Sequence, residues 1–333
     1  MTSEFDLIDK LRALFPPPEG LSIGIGDDAA VLDPGRFDLV TMDTLVEGVH
    51  FRRDWSTATD VGWKCLAANL SDIAAMGGGP GAFFLSLALP SPVDLEWVEG
   101  LWTGMREAAR VLVPDSFEVS AGGGDISRTS GPIVITLTML GEASPAGPVV
   151  RSNAVPGDRI VVMNTPGRAA AGLAVLGSDA VEAEDYPELV RAYRRPCPDV
   201  RAGGLLGLAG VPSAMIDTSD GLAQDLGHIL TASEVGARIE TFQLPVPAAM
   251  SALQDAEVGL VEDWLLGGGE DFCLVMTVPP ARMPKLWDMA RQYDWQVHDI
   301  GEIRAPEEGL QMLGLDGKPL DREIESFRHF EAS

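Results

Sequence analysis

The sequence predicts an α/β or α+β protein built from two domains. Along the chain, segments in which apolar and polar residues alternate as in strands are followed by segments with the apolar spacing of helices. The 333 residues exceed the usual size of one domain, and 46% of them are hydrophobic, which is enough for two cores. Residues 141–156 contain three prolines and few large apolar side chains. We therefore predict an N-terminal domain at residues 1–142 and a C-terminal domain at residues 143–333.

The elements of the N-terminal half follow from local patterns. Helical spacing predicts a helix over residues 4–15, which the prolines at 16–18 end. Alternation predicts a strand over 37–44. A helix is expected over 59–76, with Thr59 as its N-cap and the triple glycine at 77–79 as its stop. Residues rich in β-formers predict strands at 81–89 and 131–140, with a helix at 95–112 between them.

The C-terminal half repeats these signals. Strands are predicted at residues 158–163, 214–216 and 272–278, and an Ala/Gly-rich segment lies at 168–176. A helix is predicted over 219–231, with Thr218 or Ser219 as its N-cap. The segments "SAGGGDISR" and "LLGGGEDF" are predicted to be glycine-rich turns, in which backbone can approach a ligand closely or simply connect elements.

Composition excludes several classes of partner. The formal charge of −26 argues against a nucleic-acid backbone or an anionic membrane surface, and it favours cations. Cys65, Cys197 and Cys273 are scattered, which predicts buried thiols in a reducing compartment rather than a structural zinc site. The N-terminus lacks the basic start and apolar block of a signal peptide, and no apolar stretch approaches the ~20 residues of a membrane span. We expect a cytoplasmic protein.

Acidic residues recur in one setting, at a strand end or helix start beside glycine or another small residue. They are Asp27, Asp28, Asp43, Asp72, Asp125, Asp217 and Asp220. A single aspartate in a loop is usually a turn residue or a helix cap. The recurrence favours a cleft in which carboxylates from several segments meet around a cation. Because hard oxygens without a His/Cys cluster suit Mg²⁺ or Mn²⁺ together with substrate phosphates, we expect a metal-bridged nucleotide.

The segment "IDTSDGLAQDLGHIL" leaves two interpretations open. The helix start offers N–H groups and a positive dipole end to an anion, whereas Asp217 and Asp220 repel an anion unless a cation intervenes. Alternatively, both carboxylates simply complement the helix dipole. On helix 59–76, Asn69 and Asp72 lie three residues apart and share a face.

The sequence contains neither a Walker loop nor a GxGxxG turn in a βαβ context, so ATP binding here would proceed without a P-loop. His50 is a candidate contact for a substrate phosphate or a partly buried structural histidine. Arg151 is a candidate phosphate ligand or an ordinary exposed arginine. No GxSxG and no cysteine flanked by a base occurs, which favours direct transfer to a bound acceptor over a covalent intermediate.

The ordered set of motifs resembles the thiamine-monophosphate kinase family, within the aminoimidazole-ribonucleotide-synthetase-like ATP-binding superfamily. The motifs are "GIGDDAAVL", "TMDTLVEGVHF", "GWKCLAANLSDIAAMGGGP", "GGGDISR", "RSNAVPGD", "RPCPDVRAG", "IDTSDGLAQDLGHI" and "GGGEDF", spread from about Phe5 to Phe327. The resemblance implies an N-terminal mixed sheet that forms a barrel across a homodimer and a C-terminal α/β domain that closes over the cleft. It implies transfer of phosphate from ATP to thiamine monophosphate, with several Mg²⁺ ions and no phosphoenzyme.

The same resemblance implies roles for individual residues. The implied Mg²⁺ ligands are Asp28, Thr41, the Met42 backbone, Asp43, Asp72, Asp125, Asp217 and Asp220. The implied ATP contacts are Gly124, Asp125, Arg151 and Ser219, and the implied thiamine monophosphate contacts are His50, Glu270 and Phe327. The chain departs from the family pattern at Met42, at Ile126, where a hydroxyl is lost, and in the glycines at 267–269. These departures leave the carboxylates intact.

Other functions stay open at this point. A selenophosphate synthetase needs a reactive cysteine near its start, and the first 64 residues contain none. A hydrogenase-maturation dehydratase ends in cysteine, whereas this chain ends in Glu331-Ala332-Ser333. The ribonucleotide synthetase does not carry "DTLVEGVHF". From a different class, the chain could be a regulator that binds a nucleotide or Mg²⁺ without catalysis, although the intact aspartate set argues against this.

Overall fold

A computed structural model describes residues 21–23, 30–32, 38–91 and 95–326, with backbone alone at 21–23, 30–32 and 95. The predicted helix at 4–15, the paired Asp27 and Asp28, and Phe327 lie outside the described residues. The fold is mixed α/β, with two six-stranded sheets. No helix of the described part is both long and apolar enough to span a bilayer.

The first sheet belongs to the N-terminal half and remains open within the chain. Its strands are β1 (Leu21–Ile23), β2 (Ala30–Leu32), β3 (Leu39–Val46), β4 (Gly79–Pro90), β5 (Ser120–Thr129) and β6 (Val134–Glu142). Their order is β1-β2-β3-β6-β4-β5. Only the β4–β5 pair is parallel. β5 is therefore an edge strand.

Two helices, α1 (Ala58–Ala75) and α2 (Leu95–Leu112), cover one face of this sheet. Alternate residues of the strands, among them Leu39, Leu85 and Leu137, are buried in a core with the helices. The two helices pack closely because they meet at glycines: a Cβ on Gly62 of α1 would lie 1.9 Å from the Leu101 carbonyl oxygen of α2. The opposite face of the sheet is open, and Met42 is 64% and Phe84 43% exposed there.

The second sheet belongs to the C-terminal half and is covered on both faces. Its strands are β7 (Arg159–Met163), β8 (Ala214–Asp217), β9 (Gly236–Glu240), β10 (Leu274–Val278), β11 (Val297–Arg304) and β12 (Leu310–Leu313). The order is β12-β9-β11-β7-β10-β8, and only the β9–β12 pair is parallel. All residues of β8 and β10 are buried, as expected for central or covered strands with helices on both sides.

Within the described part of the chain, seven further α-helices pack with this sheet. They are α3 (Arg168–Leu176), α4 (Pro187–Arg194), α5 (Val200–Ala209), α6 (Leu222–Ser233), α7 (Ala248–Asp255), α8 (Val261–Gly267) and α9 (Met283–Tyr293). α1 also contacts α5 and β8, so it lies between the two halves of the molecule. This position explains why α1 is buried on nearly all sides, as its apolar residues predict.

Both predicted helix caps are wrong. α1 starts earlier than expected, because the Thr57 hydroxyl accepts the Asp60 N–H while the Asp60 carboxylate accepts the Thr57 N–H. This capping box displaces Thr59 from the cap position. α6 starts after Gly221, because the Thr218 hydroxyl is used instead to accept the Cys273 N–H at 3.0 Å. The predicted bounds of the helix at 95–112 are confirmed, and the Ala/Gly-rich segment at 168–176 is helix α3.

Two further predictions need correction. "SAGGGDISR" is not a turn but most of strand β5, where a Cβ on Gly124 would lie 2.1 Å from the Leu85 carbonyl oxygen. Glycine has low strand propensity, and close approach to β4 rather than propensity selects it here. The thiols of Cys65 and Cys273 are buried as predicted, but Cys197 is exposed in the loop between α4 and α5.

Candidate active site between the two sheets

Helix α1 joins both halves through two adjacent residues near its C-terminal end. The Thr41 hydroxyl of β3 donates to the Asp72 carboxylate. The Ser71 hydroxyl donates to the Asp217 carboxylate at the end of β8, at 2.5 Å. Asp43 follows Thr41 on the same face of β3, opposite the buried Leu137. Three predicted metal ligands, Asp43, Asp72 and Asp217, are thus gathered around the end of α1.

Electrostatics place Asp43 beside α1. Burial first, and then the Asp43 charge, raise the pKa of the Cys65 thiol on α1. Because this thiol lies on the inner part of α1, the effect indicates that the Asp43 carboxylate faces α1. We name this set, Thr41, Asp43, Asp72 and Asp217, the acidic group.

A second concentration of acid lies at the start of α6. The Asp225 carboxylate accepts the N–H groups of Asp220 at 3.1 Å and Gly221 at 2.9 Å. Burial, followed by the charges of Asp220 and Asp217, raises the pKa of Asp225 well above its usual range. Asp225 was not predicted as a site residue, although it is the third acid of the "IDTSDGLAQD" motif. Its role is to fix the backbone that carries Asp220.

The acidic group fits Mg²⁺ by its donor chemistry. Its ligands are carboxylate and hydroxyl oxygens, the class that Mg²⁺ prefers. In the described ranges, no three His, Cys, Asp or Glu side chains stand close enough together to hold a metal ion by themselves. Mg²⁺ in proteins is commonly held through one or two carboxylates, with substrate phosphates as further ligands.

Gly124 and Asp125 are not brought to this group within one chain. They lie on edge strand β5, and β4 and β6 separate β5 from β3, a distance of three strand spacings of about 4.8 Å each. The register sets Asp125 beside Ser86, whose side chain is exposed on the open face, whereas Asp43 faces the helices. The prediction that Asp125 shares one cleft with the other aspartates is therefore not met inside a single chain.

A cavity of about 480 Å³ opens between the two halves beside the acidic group. Leu45 of strand β3, two residues beyond Asp43, lies in its wall. The predicted residues His50, Ser219, Asp220 and Glu270 all line it. Its other walls are mainly apolar and aromatic, with Phe51, Trp55, Leu173, Tyr193 and Phe272 among them. The cavity thus combines a large apolar surface with a few polar groups, as small-molecule sites do.

Two polar side chains of the cavity have defined partners. The His50 ring accepts the Val46 N–H with Nδ1 at 3.1 Å, which places the proton of the neutral ring on Nε2. The Glu270 carboxylate accepts from the Lys64 ammonium of α1 at 2.8 Å. Lys64 was not predicted as a site residue. Its only sequence signal is a charge inside the otherwise buried segment "GWKCLAANL".

Neither Arg151 nor Met42 lines the cavity. Arg151 begins a single helical turn, Arg151–Asn153, that packs against α6 and β8, and its carbonyl oxygen accepts the Ser233 hydroxyl at 2.7 Å. The Met42 side chain lies on the open face of the first sheet, between Thr41 and Asp43 along β3.

Comparison with known families identifies the class. Residues 26–143 match the family "AIR synthase related protein, N-terminal domain", and residues 155–312 match "AIR synthase related protein, C-terminal domain". The fold and site thus define an AIR-synthase-related protein. The Hydrogenase Maturation Protein HypE in complex with ATP shares this fold, with a TM-score of 0.67 at 18% identity.

Relatives of higher sequence identity narrow the family. Thiamine-monophosphate kinase of Escherichia coli strain K12 is 38% identical over 314 residues, covering 93% of this chain and 92% of that protein. The Bacillus subtilis strain 168 enzyme of the same name is 33% identical over 340 residues, covering 98% and 99%. The solved structure of AaThiL complexed with AMPPCP and TMP has a TM-score of 0.82 at 28% identity, covering 98% and 97%. The chain belongs to the thiamine-monophosphate kinase family, which confirms the resemblance seen in its motifs.

Proposed function

We propose that the protein transfers the γ-phosphoryl group of ATP to thiamine monophosphate, giving ADP and thiamine diphosphate. One observation carries this proposal: a cavity lined by His50, Ser219, Asp220 and Glu270 lies beside the acidic group in a chain of this family. A structural neighbour over nearly the whole chain binds AMPPCP and TMP. An ATP analogue and the acceptor thus occupy a protein of the same fold.

In this proposal the cavity holds the thiamine part of the acceptor. Trp55, Tyr193 and Phe272 supply aromatic surface for two flat rings. Glu270 supplies a carboxylate for the amine or the cationic ring, and His50 supplies Nε2–H for the acceptor phosphate. Phe327 is proposed to stack on the rings. The acceptor phosphate then points toward the acidic group.

The acidic group, together with further residues that include Asp125 of a partner copy, is proposed to hold several Mg²⁺ ions. The proposed ligands are Asp28, Thr41, the Met42 backbone, Asp43, Asp72, Asp125, Asp217 and Asp220. When bound, Mg²⁺ supplies positive charge that neutralises the anionic donor and acceptor phosphates. The protein contributes rigidity, because the Thr41–Asp72 and Ser71–Asp217 hydrogen bonds tie ligands from both sheets to one helix. Gly124, Asp125, Arg151 and Ser219 are proposed to contact ATP.

The chemistry proposed is a direct in-line transfer. An oxygen of the acceptor phosphate is already ionised at neutral pH, so the transfer needs no strong general base and no phosphoenzyme. The residues around the cavity align the two phosphates and exclude water, which are the main contributions in phosphoryl transfer. We place this reaction in the cytoplasm, in line with free thiols at Cys65, Cys197 and Cys273.

The open face of the first sheet supports a homodimer. It exposes the large apolar side chains of Met42 and Phe84 beside Thr44 and Ser86, and exposed apolar surface of this kind marks interaction sites. We propose that the sheets of two copies face each other and form a barrel. Asp125 lies toward this face, so the dimer also places the ATP-contacting strand β5 at the interface. In the proposed division, residues 1–142 bind ATP and Mg²⁺ and dimerise, and residues 143–333 close the cleft.

A coupled assay for ADP tests the function. The protein is incubated with ATP, Mg²⁺ and thiamine monophosphate, with free thiamine as the matched control acceptor. We expect ADP release with thiamine monophosphate and formation of thiamine diphosphate in equal amount. Release of ADP without thiamine diphosphate, or equal activity with thiamine, would contradict the proposal.

A further inference from the structure

A lysine is buried at the junction of the two halves. Lys64 lies on α1, and its side chain is only 2% exposed. A buried ammonium is unfavourable unless it is paired and hydrogen-bonded. A lysine in this place therefore needs partners that compensate its charge. The same contacts also hold those partners in position.

The ammonium has three partners on three different segments. Its Nζ lies 2.8 Å from Glu270 Oε2, 3.5 Å from the His50 carbonyl oxygen, and 3.8 Å from the centroid of the Tyr193 ring. The Tyr193 hydroxyl also lies 3.5 Å from the His50 carbonyl oxygen, to which it donates. Burial, followed by the Glu270 charge, raises the pKa of Tyr193, so it stays a neutral phenol. One cation thus connects α1, the turn at His50, α4 and the loop after α8.

The backbone at Glu270 is held in an uncommon conformation. Its φ is +64°, in the left-handed region that favours glycine. The Glu270 N–H donates to the Ser219 carbonyl oxygen at 2.9 Å. A Cβ on the neighbouring Gly269 would lie 2.3 Å from that same oxygen, so the loop is packed tightly. The loop fixes the Cα of Glu270, and the ion pair with Lys64 fixes its carboxylate.

Lys64 stands behind the wall of the cavity rather than in it. Its partners Glu270, His50 and Tyr193 line the cavity of about 480 Å³, but Lys64 itself does not. Any influence on a bound molecule therefore passes through these three residues. The ion pair occupies one carboxylate oxygen of Glu270 and fixes the carboxylate beside an apolar wall.

We propose that Lys64 is a positioning residue for the acceptor substrate. It holds the Glu270 carboxylate and the His50 turn in the geometry that binds the organic part of the acceptor, and it does not act on the transferred phosphoryl group. This inference rests on the proposed function, and it adds a residue whose effect is on acceptor affinity rather than on the chemical step.

Steady-state kinetics of Lys64→Met, Lys64→Arg, Glu270→Gln and the double variant K64M/E270Q test the inference. Arg195→Met is the matched control, because Arg195 also makes ion pairs to Asp60 and Glu107 and lies 5.5 Å from the centroid of the Trp63 ring. Both arginine and lysine thus tie α1 to the C-terminal half, but Arg195 does so away from the cavity.

We expect Lys64→Met to raise the KM for thiamine monophosphate at least about tenfold while kcat and the KM for ATP change less than about threefold. Lys64→Arg is expected to recover part of the acceptor affinity. The acceptor KM of the double variant is expected not to exceed that of the single variant with the higher acceptor KM, because both changes remove the same ion pair. Arg195→Met is expected to leave the acceptor KM unchanged.

An unchanged acceptor KM in Lys64→Met overturns the inference, as does an equal effect in Arg195→Met or additive effects in the double variant. If Lys64→Met fails to fold, the acceptor KM of Glu270→Gln and of Lys64→Arg is compared with that of wild type and Arg195→Met instead. Wild-type protein that forms no thiamine diphosphate contradicts the proposed function itself. If the wild type forms thiamine diphosphate and the variants keep its acceptor KM, only the role of Lys64 is contradicted.

Discussion

Asp72→Asn separates a role of Asp72 in catalysis from a role in folding. Asp72 accepts the Thr41 hydroxyl, and an asparagine keeps one acceptor oxygen for that hydrogen bond. The free energy of unfolding should therefore change by less than about 1 kcal/mol. The substitution removes one of three charges in the acidic group, which includes Asp43 and Asp217.

The expected effect on turnover follows from that lost charge. Two unit charges 4 Å apart interact by about 4 kcal/mol at an effective dielectric constant of about 20. Loss of a carboxylate next to a divalent ion should then lower kcat at fixed Mg²⁺ by about 10²-fold or more. The variant should also need more Mg²⁺ for half-maximal rate.

The assay is turnover of thiamine monophosphate over a range of Mg²⁺ concentrations, with urea unfolding of the same samples. Asp158→Asn is the control, because Asp158 is 2% exposed and accepts from Ser213 at 2.5 Å at the end of β8 away from Asp217. It should lose about 1–2 kcal/mol of stability and keep its turnover. An unfolded Asp72→Asn protein, or a folded one with turnover within about threefold of wild type, would refute the reasoning.

Three further predictions test the fold and assembly. Asp271 accepts the N–H groups of Gly167 and Ala169 at the start of α3, and burial raises its pKa to about 7, above the unfolded value of 3.8. The folded state therefore binds more protons between these values, so the stability of wild type relative to Asp271→Asn should fall by up to about 4 kcal/mol from about pH 4 to about pH 7; parallel urea-unfolding curves would exclude this. Thr57→Ala should lower stability by about 1 kcal/mol through loss of the α1 cap, and Thr59→Ala by clearly less. Phe84→Lys on the open sheet face should shift the protein from dimer to monomer in analytical ultracentrifugation, whereas a monomeric wild type would remove the proposed interface.

Local patterns predicted the elements that pack on one face, because such elements carry apolar residues at regular spacing. Helix α2 at residues 95–112 has an apolar stripe against one sheet, so its spacing alone gives its bounds. Strand β5 was missed because its triple glycine mimics a turn, and the reason for glycine is contact with β4, which no local pattern contains. The α1 cap was misplaced for a different reason: Thr57 and Thr59 are both suitable cap residues, and a local feature, Asp60 three residues after Thr57, decides between them.

The candidate site divides in the same way. Asp43, Asp72 and Asp217 were predicted as metal ligands because acidic residues recur in one local setting, and this role stays a prediction. The structure ties Asp72 to β3 and Asp217 to α1 through hydrogen bonds. Lys64 was missed because its partner Glu270 is 206 residues away and because the apolar residues around it are typical of a structural core. The position of Asp125 on the far edge of the first sheet also depends on strand order, which spacing along the chain does not give.

Transfer of label from [γ-³²P]ATP tests the central claim most directly. The full chain is incubated with labelled ATP, Mg²⁺ and thiamine monophosphate, and the products are separated. The proposed reaction predicts that the label leaves ATP and appears in thiamine diphosphate, with little in inorganic phosphate. Label that accumulates in inorganic phosphate while thiamine monophosphate stays unchanged would contradict it.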